Sequence, residues 1–164
     1  MKQPFLFLTV LFIAFSFSKT TFAHCEVPCG IYHDELRVEL IQEHIQTIEK
    51  AINQINELQQ ADTINYNQLV RWINNKEQHA NLIQEIAEQY FLTQRVKLAD
   101  PSDKEKYNKY QAQLITLHQL IVYSMKSKQS TDLAQVENMR NALEAFEKAY
   151  FGEHRHNEDG THKK

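Results

Sequence analysis

Apolar residues recur every three or four positions along most of this chain, and four stripes can be drawn. The first runs through Leu36, Leu40, Ile41, Ile45, Ile48, Ile52 and Ile55. The second holds Leu69, Ile73, Ala80, Ile83, Ala87 and Tyr90, widened by Trp72, Ile86 and Phe91. Tyr107, Tyr110, Leu114, Leu117, Ile121 and Met125 make the third, and Leu133, Val136, Leu143, Phe146 and Tyr150 the fourth. This spacing keeps one face of a helix apolar and predicts four amphipathic helices. The breaks have their own chemistry. Asp62-Thr63 predicts a cap before the second helix. Asp100-Pro101-Ser102-Asp103 stops the second helix and caps the third, because proline cannot extend the hydrogen-bond ladder. Ser130-Thr131-Asp132 predicts a cap on the fourth. Connections this short turn each helix back on the last, so the expected fold is all-α: an up-down antiparallel four-helix bundle over residues 33–151.

Composition agrees with helix and changes the picture only at the two ends. Between Ile31 and Phe151 there is no glycine and a single proline, Pro101. Residues 1–23 read as a secretory signal: Lys2, an apolar run from Phe5 to Phe17, and a polar exit ending Thr21-Phe22-Ala23. The run is too short to favour a membrane-spanning helix, which needs about 20 residues. Cleavage after Ala23 leaves one domain by length, exported to the periplasm or secreted, with no membrane attachment. It carries sixteen Lys and Arg against twenty-one acids, a net charge of −5, which argues against a nucleic-acid partner. Residues 152–164 form a polar tail with His154, His156 and His162, expected to be disordered.

The candidate chemistry sits at the new amino terminus, in His24-Cys25-Glu26-Val27-Pro28-Cys29. Cleavage gives His24 a free α-amine beside its imidazole. That amine, the Cys25 amide nitrogen and the Cys25 thiolate can close two fused chelate rings, and Cys29 can add a second thiolate. A planar N2S2 set with an axial imidazole suits Cu(II) or Ni(II). A structural zinc site wants four tetrahedral side-chain ligands, and only His24, Cys25 and Cys29 lie together. Two thiolates and an ionised amide stabilise Ni(III), which opens a Ni(II)/Ni(III) cycle with a substrate that both gives and takes an electron. Superoxide does both. Two other readings use the same residues. One is an exported nickel- or copper-binding protein without redox turnover. The other is a thiol–disulfide protein, disfavoured by the three-residue gap between the cysteines and by the lack of a basic group to lower a thiol pKa.

The nine residues His24-Cys25-Glu26-Val27-Pro28-Cys29-Gly30-Ile31-Tyr32 match every fixed position of His-Cys-x-x-Pro-Cys-Gly-x-Tyr. In this the chain resembles the nickel superoxide dismutases, and Arg37-Val38-Glu39, Lys76-Glu77-Gln78, Tyr90-Phe91 and Leu117-His118-Gln119-Leu120 extend the likeness to about residue 151. The resemblance implies a superoxide dismutase with one nickel ion per subunit, held by His24, Cys25 and Cys29. It implies that Tyr32 gates the open face, that Tyr90 supports Tyr32 by a hydrogen bond, and that Glu39 accepts from the axial imidazole. Glu26 and His79 fall in the same surroundings; Glu26 stands where a compared member has aspartate, and His79 where it has arginine. The resemblance also implies a homohexamer of four-helix bundles.

Overall fold

A computed structural model describes residues 33–152. The expected signal peptide, the hook at 24–32 and the tail from residue 153 lie outside the described residues. Within them the chain is all helical, with four α-helices and no strand. They are α1 (Asp34–Gln59), α2 (Tyr66–Glu85), α3 (Lys104–Gln129) and α4 (Ala134–Phe151). α2 continues as a π-helical extension over Ile86–Arg95.

The first stripe forms α1 largely as the spacing predicts. Ile41, Ile45, Ile48, Ile52 and Ile55 are buried, together with Val38 and Ala51. Each buried isoleucine contributes about 1.5–3 kcal/mol of burial free energy relative to an exposed one. Leu36 alone in that stripe is exposed. The core closes over Ala80, Ile83, Ala87 and Phe91 from α2 and its extension, Leu117 and Leu120 from α3, and Val136, Met139, Leu143 and Phe146 from α4. α1 packs on α2 and α4, and α3 on α2 and α4.

Two expectations need correcting. The cap of α2 is Asn65, whose side-chain oxygen accepts from the Gln68 amide at 3.2 Å, and not Asp62-Thr63. Those two residues lie in the loop that precedes it. The buried face of α3 is also displaced from its expected stripe. It carries Gln113, Thr116, Leu117, Leu120, Ser124 and Ser127, while Met125 is exposed and Leu114 only half-buried. Short polar side chains fit here because they find acceptors locally. Thr116 bonds back to the Ala112 carbonyl at 2.8 Å, and Ser124 to that of Leu120 at 2.8 Å. Gln113 reaches across to the Ala149 carbonyl on α4 at 3.1 Å. Satisfied in this way, the groups carry little desolvation penalty.

The Asp100–Asp103 turn behaves as expected. Asp103 accepts from the Lys106 amide at 3.2 Å and caps α3. Before α4, Asp132 accepts from the Ala134 amide at 2.9 Å. Lys76 is buried, and its ammonium donates to the carbonyls of Lys128 at 3.0 Å and Ser130 at 2.9 Å. It thereby covers carbonyls that the end of α3 leaves without helical partners.

Candidate functional site

Four of the expected site residues, His24, Cys25, Glu26 and Cys29, and the expected gate Tyr32 lie outside the described residues. The ground that receives them is described. α1 begins at Asp34, two residues after Tyr32. The Asp34 carboxylate is a point of convergence for three other parts of the chain. The Tyr90 hydroxyl donates to Oδ1 in a short hydrogen bond, and Arg95 Nε lies 3.0 Å from the same oxygen. The Tyr150 hydroxyl donates to Oδ2 at 2.8 Å. Arg95 Nη2 also donates to the Tyr90 oxygen at 3.0 Å. The guanidiniums of Arg37 and Arg95 both face the Tyr90 ring, 5.3 and 5.0 Å from its centre. Beneath lies an aromatic cluster: Phe91 stands 4.8 Å from Phe146 and 5.5 Å from Tyr150, ring centre to ring centre.

The π-helical extension makes this convergence possible. Its wider turn is marked by bonds that span five residues, from the Val96 amide to the Phe91 carbonyl at 2.8 Å and from Thr93 Oγ1 to the Glu88 carbonyl at 2.8 Å. Adjacent Tyr90 and Phe91 are both buried there, and Arg95 swings back onto Asp34. π-helical segments inside α-helices concentrate at functional sites.

The environment holds both phenols in the protonated form. Burial, and then the hydrogen bond to Asp34, push the Tyr150 hydroxyl well above its ordinary range. The Tyr90 hydroxyl is raised for the same two reasons, partly offset by Arg95. Next to this cluster a cleft of about 340 Å³ is lined by Arg37, His44, Glu85, Tyr90 and Gln94, among others.

Of the three expected supporting residues that are described, Tyr90 alone stands in this cluster. Glu39 is exposed on α1. His79 faces His44 across the α1–α2 contact, with their Nδ1 atoms 3.0 Å apart. Sequence reasoning missed Asp34, Arg95 and Tyr150 as site residues. Asp34 had one available signal, its place two residues after the nine-residue motif; nothing in the local pattern pointed to Arg95 or Tyr150.

Among the described residues no three His, Cys, Asp or Glu side chains come together as a metal site. Side chains that suit nickel are found together in the sequence at residues 24–29, where His24, Cys25 and Cys29 offer an imidazole and two thiols. The family model for nickel-containing superoxide dismutase matches residues 19–154, which takes in the hook and all four helices. The chain belongs to that family. As a nickel-containing superoxide dismutase it is an oxidoreductase acting on superoxide. No curated protein and no solved structure matches the chain. No helix among the described residues is long and apolar enough to cross a membrane.

Proposed function

We propose that this superoxide dismutase works through a hook that exists only after the first 23 residues are removed and His24 becomes the amino terminus. The observation that carries the reading is the unbroken nine-residue motif from His24 to Tyr32, lying inside the region matched by the family. In this reading His24 holds the metal through its amine and imidazole, Cys25 through its amide nitrogen and thiolate, and Cys29 through a second thiolate, one nickel ion per subunit. Bound nickel supplies a one-electron couple between its divalent and trivalent states.

The chain's own part is to hold the hook, admit superoxide and exclude larger molecules. Asp34 supports the first of these roles. Tied to Tyr90, Arg95 and Tyr150, it fixes where the chain leaves α1 and so where Tyr32 can stand. Tyr90 supports Tyr32, with one refinement from its partners. A phenol has a single hydrogen, and that of Tyr90 is committed to Asp34. In a Tyr32–Tyr90 hydrogen bond Tyr32 is therefore the donor. Arg37 puts positive charge beside Tyr90, 5.3 Å from its ring centre, which favours the approach of a small anion there.

The up-down antiparallel arrangement belongs to the same proposal. Pairings that support it join the start of α1 to the end of α4 (Asp34–Tyr150), their middles (Glu49–Arg140) and the end of α1 to the start of α4 (Asn56–Thr131). A homohexamer, expected from family resemblance, finds support in α2. Tyr66, Val70 and Ile73 form an exposed apolar stripe along it, the kind of surface that marks an association site. Export to the periplasm or medium rests on the signal-like residues 1–23.

The test of the hook is chemical. A chain starting at His24 and loaded with nickel is expected to bind one equivalent, and Cys25→Ser to abolish dismutation. A chain that keeps an extra residue before His24 is expected to lose activity as well, because its terminal amine is no longer a ligand. Full activity with the extension in place sinks the role given to cleavage.

A further inference from the structure

His44 and His79 are placed to do more than pack. They come from the middles of α1 and α2, so each ring is carried on a regular helix and not on a loop. Their Nδ1 atoms are 3.0 Å apart and their rings meet edge to face, with centres 4.9 Å apart. Both side chains are half-buried, and His44 opens onto the cleft that also contains Glu85. From these facts we propose that His44 and His79 are the protein ligands of a further metal site, which takes one Cu(II) ion between α1 and α2.

The two nitrogens share a hydrogen bond, and at that separation one metal ion can take the place of the shared hydrogen. With metal–nitrogen bonds of about 2.05 Å, two donors 3.0 Å apart subtend about 94° at the ion. That is the angle between neighbouring ligands in a tetragonal or octahedral complex, the geometry of Cu(II) and Ni(II). Copper is the stronger binder of the two preferred ions. Burial lowers the pKa of both rings, and His79 lowers that of His44 further, so both are neutral ligands at neutral pH. Glu43 acts electrostatically on His44 and so favours added positive charge there, while the cleft onto which His44 opens carries Glu85 and Arg37. Water in the cleft completes the coordination shell. The site does not depend on the proposed hook mechanism, since it uses none of residues 24–32.

The test uses the full mature chain with its hook already filled by nickel. Cu(II) alone is then titrated in and followed by electron paramagnetic resonance. The unmodified chain is expected to take up a copper ion whose spectrum shows coupling to two imidazole nitrogens. His44→Gln and His79→Gln are each expected to lose that one ion, and the double variant to lose no more than either single one. Copper held by the hook or by the tail histidines is the same in all four proteins and serves as the internal constant. Circular dichroism confirms that each variant remains helical; where one does not, the two-nitrogen signature is read instead in a chain ending at Gly152, which lacks His154, His156 and His162. Equal copper uptake in all four proteins overturns the proposal. So does a spectrum showing a single imidazole nitrogen at the site, or losses that add in the double variant, which would mean two independent one-histidine sites.

Discussion

Asp34 gathers Tyr90, Arg95 and Tyr150 at the point where the chain leaves the helices for the hook. Removing that carboxylate leaves two phenol hydroxyls and a guanidinium without their acceptor. Bonds to a charged group that is mostly out of water are worth more than neutral ones, so Asp34→Ala is expected to cost about 2 kcal/mol in urea unfolding. If Asp34 also sets Tyr32, the same variant loses dismutase activity while still binding nickel. Tyr150 gives a separate test by pH. Its pKa is raised on folding, so between pH 10 and the raised value the folded chain keeps a proton that the unfolded chain loses. That contribution to stability is complete below pH 10 and is lost as pH climbs. Tyr150→Phe is therefore expected to flatten the fall of melting temperature above pH 10; an unchanged slope contradicts the assignment. The proposed metal donors could be read from the sequence as candidates because they are contiguous, and they lie outside the described residues. The partners of Asp34 were not, since Tyr90 and Tyr150 are 56 and 116 residues away, and local periodicity carries no information about such pairs.

At the scale of elements, the four helices were legible because three- and four-residue spacing is a local property. The details that escaped are set by neighbours. The α3 face was misplaced because Thr116, Ser124 and Ser127 count as polar in a pattern, yet in the folded chain they bond to their own helix and pack inward. The π-helical extension escaped for a similar reason: its residues read as an ordinary continuation of α2. Its weight in the fold can be measured at Phe91, which is fully buried against Phe146 and Tyr150. Phe91→Ala is expected to cost about 3–5 kcal/mol, as for other buried aromatic truncations. A loss below about 1 kcal/mol would show that the aromatic cluster collapses to fill the space.

At the scale of the molecule, one exposed apolar surface is explained by association. The stripe of Tyr66, Val70 and Ile73 on α2 is apolar and exposed in the single chain. If it is a subunit contact, Val70→Glu with Ile73→Glu shifts sedimentation from the oligomer to the monomer without loss of helicity. An oligomer that survives both charges places the contact elsewhere. The activity itself is tested most directly by following superoxide decay after pulse radiolysis, with the nickel-loaded chain that begins at His24. Decay first order in protein, abolished by Cys25→Ser, is the predicted result. Nickel firmly bound at the hook while superoxide disappears no faster than in buffer would contradict it.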